Sequence, residues 1–168
     1  MQERDHRCEK LLQEVSPFPL IEGIVKRSLE DIAKDPYSEF KKNLKDLESE
    51  DPNTFRLITA LFRKNKGNIG TIEGGVFAYK IIKDSACNKN SKLPILKNNL
   101  GDFFISNFYR ENEEVDDLVE RRTNEIKIDD PFFIEAIQQM SQYRIDSKRF
   151  FYGAVVVYSA IKYSEKYQ

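Results

Sequence analysis

The chain has 168 residues and a mass of 19.7 kDa, which suits one domain or two small ones. Hydrophobic residues make up 40% and charged residues 33%, with 12 Phe, 8 Tyr and no Trp. That balance supports a packed core and excludes disordered or fibrous chains, while a net charge of -1 excludes a global pull toward nucleic acid or acidic membranes.

At the N-terminus, residues 1–20 read as a helix and its lead-in, with Leu11 and Leu12 on a first, partly independent helix. The opening residues are charged throughout and lack the apolar run of a secretory signal. Cys8 and Cys87 lie far apart, so they are expected to be reduced thiols in a cytoplasmic protein. With His6 they fall short of the four ligands a zinc site needs. A lone histidine also gives no basis for Ser–His or Cys–His nucleophilic catalysis.

Four dipeptides then mark helix starts: Ser16-Pro17, Asp35-Pro36, Asp51-Pro52 and Asp130-Pro131. In each, the Ser or Asp side chain accepts from an orphan backbone N–H, and Pro at the first helical position gives up no needed donor. The apolar residues that follow are spaced three and four apart. Ile21, Ile24, Val25, Leu29 and Ile32 show it, as do Phe55, Ile58, Leu61 and Phe62, and Ile134, Ile137 and Met140. Segments 71–83 and 148–163 are rich in Val, Ile, Phe and Tyr, which local propensity would also allow as strands. Ala154, Val157, Tyr158 and Ile161 keep helical spacing over a length beyond an ordinary strand, so both segments are expected to be helices. Phe150–Ile161 is too short to cross a bilayer, which needs about 20 apolar residues. An all-α chain of about nine helices follows.

The sequence also matches itself without gaps at an offset of 79. Asp51-Pro52 aligns with Asp130-Pro131 and Ile58 with Ile137. Gly74, Val76, Tyr79, Ile82 and Lys83 align with Gly153, Val155, Tyr158, Ile161 and Lys162. Eight of the 33 pairs from 51 to 83 are identical, where composition alone gives about two. Upstream only the apolar character persists, as in Ile21 with Leu100, Ile24 with Phe103, Val25 with Phe104, Leu29 with Phe108 and Leu47 with Ile126. We therefore expect an internal duplication: helical unit 1 at 21–83, a linker at 84–99, and unit 2 at 100–166, the two packing as one globular domain. In each unit the second helix of a terminal hairpin is expected to open near Gly74 or Gly153, where glycine permits a close helix crossing. Tyr79 and Tyr158 are expected to be core residues whose hydroxyls reach the rim.

Candidate chemistry is sparse. Glu113, Asp117 and Glu120 are spaced by four and three, which puts three carboxylates on one helical face where Mg²⁺ could be held. The paired acidic pattern of all-helical nucleotide pyrophosphatases is not completed by a second helix. From residue 63 to 97 lie Arg63, Lys64, Lys66, Lys80, Lys83, Lys89, Lys92 and Lys97, which could contact phosphates without reading bases. No phosphate loop or dinucleotide fingerprint accompanies Gly67, Gly70, Gly74 and Gly75. The sequence reads best as a non-enzymatic protein-interaction or scaffold module without a cofactor, taking a protein partner or a second copy of itself. The alternatives are an Mg²⁺-dependent nucleotide hydrolase on 113–120 and a weak nucleic-acid binder through 63–97.

Overall fold

The computed structural model describes residues 6–15, 20–34, 36–64, 67–89, 115–144 and 146–162. Among them are eight helices and no strand. They are α1 (His6–Val15), α2 (Leu20–Lys34), α3 (Pro36–Glu50), α4 (Pro52–Lys64), α5 (Ile69–Asn88), α6 (Val115–Asp129), α7 (Pro131–Ser141) and α8 (Ser147–Lys162). None is long and apolar enough to cross a membrane.

The Asp-Pro dipeptides start helices by side-chain capping. Asp51 accepts from the Thr54 N–H at 3.2 Å and from the Thr54 hydroxyl at 2.9 Å, so α4 begins at Pro52. Asp130 accepts from the Phe133 N–H at 3.1 Å, and α7 begins at Pro131. The two strand-permissive segments start on caps of their own: Asn68 accepts from the Gly70 N–H at 2.9 Å, and Asp146 from the Arg149 N–H at 3.0 Å. Gly67 supplies the left-handed turn before α5, with φ 76°. Asn68 and Asp146 are also joined, amide to carboxylate, at 3.0 Å, which pins the two helix starts side by side.

The centre of the molecule is the pair α5 and α8, which pack along most of their lengths. Both are buried nearly all round, from Ile72 through Ile82 and from Tyr152 through Ile161. Burial on every side explains their strand-like composition, because Val, Ile, Phe and Tyr fill space here whatever their local preference. The axes meet at two glycines. A Cβ on Gly74 would lie 1.9 Å from the carbonyl oxygen of Phe150, and one on Gly153 would lie 2.0 Å from that of Thr71. Only a residue without a side chain fits either place. Phe77 and Phe150 pack beside the crossing with centroids 5.7 Å apart. The remaining helices flank this pair: α4 against α5 and α8, α7 against α8 and α5, α3 against α4, and α6 against α7.

Several expectations from the sequence need correction. α5 and α8 open at Ile69 and Ser147, so the two glycines lie inside helices rather than at their starts. α5 continues through Asn88, so 84–88 is helix rather than linker; residues 90–99 lie outside the described residues, as do Ser16-Pro17, Leu100, Phe103, Phe104 and Phe108. α1 is not an independent helix. Leu11 is 2% exposed and belongs to the common core, and Cys8 is bonded to Cys87 in a disulfide with Cα atoms 5.3 Å apart. The thiols are therefore not reduced. Separation along the chain argued for free cysteines, but packing of α1 against the last turns of α5 brings them within bonding distance.

Candidate binding cleft

A cleft of about 740 Å³ opens where five helix ends meet. α2 contributes Leu20, Ile21, Glu22 and Val25 from its first turns, and α5 contributes Ile81, Asp84 and Lys89 from its last. The α6–α7 corner adds Asp129, Asp130 and Phe132, then Glu135 one turn further along α7. Tyr158 and Lys162 close the cleft from the end of α8. Its floor is apolar and its rim acidic: five carboxylates face two lysines. Phe132 stands on the rim with 68% of its surface exposed, a large apolar side chain at the mouth.

Local sequence fixes each rim group. The Asp130-Pro131 start holds the Asp130 carboxylate at the head of α7, where it also accepts from the Tyr158 hydroxyl at 3.2 Å. Tyr158 in turn packs its ring against Phe133 at a centroid distance of 4.1 Å. Asp84 differs from the other four acids. It is 1% exposed, and its Oδ1 has no hydrogen-bond partner. Burial pushes its carboxyl up from 3.8 to about 7, so near neutral pH this residue is poised between acid and anion.

A second polar cluster surrounds Tyr79. Its hydroxyl donates toward Glu50 Oε2 at 3.5 Å, and Lys83 donates to the same oxygen at 3.2 Å. Arg7 of α1 donates to the Tyr79 hydroxyl at 3.3 Å. Burial raises the Tyr79 pKa, against the attraction of Arg7 for the phenolate. Burial likewise raises the Asp51 carboxyl, opposed by its two hydrogen bonds from Thr54 and by Arg7. Here α1 covers the surface, and only a small space of about 20 Å³ is left beside Lys10, Asp46, Glu50 and Tyr79.

The structure disperses the other residues singled out from sequence. Asp117 and Glu120 are exposed on α6, and Glu113 lies outside the described residues. Among the described residues no group of three or more His, Cys, Asp or Glu is placed to hold a metal ion. The basic run is not one surface either. Lys83 is buried in its ion pair with Glu50, Lys89 lines the acidic cleft, and Lys66, Lys92 and Lys97 lie outside the described residues. Sequence reasoning passed over Asp84, which resembles any other acid in a charged segment. It also passed over the cysteine pairing, although Cys8 and Cys87 are separated by the same 79 residues as the self-match.

No protein-family model, curated protein or solved structure matches this chain. The cleft's own chemistry is therefore the guide. It sets carboxylates around an apolar floor, a make-up that can hold a cation with an apolar body.

Proposed function

We propose that the protein is a non-enzymatic binding module made of two copies of one helical unit, and that the acidic cleft walled by α2, α5, α7 and α8 docks a protein partner. The observation that carries this reading is the cleft itself, which joins an exposed Phe132 and an apolar floor to a ring of carboxylates. Apolar anchors beside oriented charges are the usual make-up of a recognition site.

The duplication draws support from geometry. α3 and α6 end 79 residues apart, at Glu50 and Asp129, and Pro52 and Pro131 open α4 and α7 at the same offset. The central contacts exchange under that offset: Gly74 meets Phe150 while Gly153 meets Thr71. So do the flanking contacts, with α4 on α8 and α7 on α5. The cytoplasmic setting expected from the sequence rested on reduced thiols. The Cys8–Cys87 bond instead favours a compartment where disulfides persist, or the interior of an organism that keeps them.

A photo-crosslinking residue at Phe132 tests the docking reading. In native extract it should capture a discrete partner that the same residue at Arg63, exposed on α4, does not. Equal capture at both positions would count against the cleft.

A further inference from the structure

Away from the acidic cleft, we infer that α1 is a removable cover and that the Cys8–Cys87 bond is its latch, opened by a dithiol reductant. α1 lies over the groove between α3 and α5. Its Arg7 donates to the Tyr79 hydroxyl at 3.3 Å, and its Lys10 pairs with Asp46 of α3 at 3.0 Å. The small space left beside Lys10 is walled by Leu47 and Glu50 of α3 and by Val76, Tyr79 and Lys83 of α5. Within that wall the Tyr79 hydroxyl and Lys83 both donate to Glu50 Oε2, at 3.5 and 3.2 Å.

The bond is what keeps α1 in this seat. Among its described side chains, residues 7–13, only Cys8 and Leu11 are buried, and Cys8 is one end of the bond itself. The Lys10–Asp46 pair is about a third exposed at each end, where an ion pair adds little. At ten residues α1 is also shorter than the roughly 12–15 that an isolated helix needs to persist in water. By contrast, α5 and α8 bury one another, and Cys87 lies 13 residues beyond Gly74, about 20 Å along α5 from the crossing. Both cysteines sit at helix ends: Cys8 in the first turn of α1, Cys87 one residue before the end of α5. End turns open most readily, which admits a reductant to a bond whose cysteines are 3% and 1% exposed at rest. A thiolate of the dithiol attacks one sulfur, forming a mixed disulfide and expelling the other cysteine; the second thiol of the reductant then displaces the first. The reductant leaves as a disulfide, having passed two electrons and two protons to Cys8 and Cys87, which end as thiols. With its N-terminal end freed, α1 unseats and bares Leu47, Val76 and the Tyr79–Glu50–Lys83 cluster.

The test is NMR of the full chain labelled with ¹⁵N and ¹³C, oxidised and then in excess dithiothreitol. In the oxidised chain residues 6–15 should show helical ¹³Cα shifts. On reduction those shifts should fall by about three-fold or more, with narrowed amide lines, as a short helix loses its support. Residues 72–82 and 152–161 should keep theirs. Cys8→Ser should release α1 in the same way with no reductant present. Helical shifts at 6–15 that survive both treatments would overturn the inference, because α1 would then seat unaided. Joint loss of 6–15, 72–82 and 152–161 would overturn it too, since the bond would then hold the whole fold rather than a cover. Cysteines that fail to pair under oxidant would remove the latch outright. Capture of a partner at Phe132 is unaffected by any of these results.

Discussion

Replacing Gly153 by Ala places one methyl group where the structure has a backbone carbonyl. The new Cβ would lie 2.0 Å from Thr71 O, 2.8 Å from Thr71 C and 3.0 Å from Thr71 Cα. None of these atoms belongs to a side chain that could rotate away. Ordinary contact requires about 3.5 Å, so α5 and α8 must part by roughly 1.5 Å at the crossing. Gaps of 0.5–1 Å already forfeit about a quarter to a half of each dispersion contact, and the pairs lost include those of Phe77 with Phe150. Overpacking costs about 1–3 kcal/mol when side chains can yield, and a backbone obstacle puts this case at or beyond the upper end. Alanine returns about 1 kcal/mol of helix propensity. The net expectation is a loss of about 2 kcal/mol or more, a fall of roughly 4–8 °C in Tm for a chain of this size. Leucine should cost more. Gly74→Ala should match it, since its Cβ would meet Phe150 O at 1.9 Å. The two changes share one crossing, so the double variant should lose less than the sum of the singles. Urea denaturation followed by circular dichroism gives these numbers through the midpoint at constant slope. A Gly153→Ala protein as stable as the parent would refute the reasoning.

Three further outcomes follow from the same structure. Reducing the disulfide, or making Cys8→Ser, should cost about 4.5 kcal/mol from loop-closure entropy across 79 residues, and a Tm indifferent to reductant would contradict this. Asp84 titrates near 7 when folded and near 3.8 when unfolded, so the folded state holds the extra proton between those values and stability falls as pH rises through that window. The stability of Asp84→Asn relative to wild type should therefore rise by about 2–4 kcal/mol between pH 3.5 and pH 8; a constant difference would show that the carboxyl is not perturbed. Asp130→Ala removes the cap of α7 and the acceptor of the Tyr158 hydroxyl together, for about 2 kcal/mol, whereas Tyr158→Phe should cost only about 1 kcal/mol, both read from urea midpoints.

The helix starts were legible because capping is local. Asp51-Pro52 and Asp130-Pro131 need only the next three residues to do their work, and α4 and α7 begin on those prolines. The helical state of 71–83 was legible only alongside 148–163, whose apolar residues keep helical spacing; propensity allowed strand for both, and burial on all sides accounts for that composition. The cysteine bond was hidden because it depends on where α1 lands, which no residue near Cys8 announces. Asp84 was hidden for a related reason. Its burial, with Oδ1 left without a hydrogen-bond partner, arises in a cleft shared with α2, α7 and α8, and an aspartate in a string carries no sign of what will surround it.

The Cys8–Cys87 bond divides the polypeptide into a closed ring and an open tail. Every peptide bond from residue 8 to 87 lies within the ring, which holds α2, α3, α4 and nearly all of α5. A single protease cut in that stretch frees no fragment, because both sides stay on one covalent body. α6, α7 and α8 have no such protection, and a cut after Lys89 would sever them from everything but their packing. The acidic cleft draws its walls from both parts: α2 and α5 from the ring, α7 and α8 from the tail. Its wholeness therefore depends on non-covalent adhesion of the tail to the ring, through the glycine crossing of α5 and α8. One nick in the connecting stretch would leave the N-terminal half intact as a ring while turning the cleft into an interface between two separable chains.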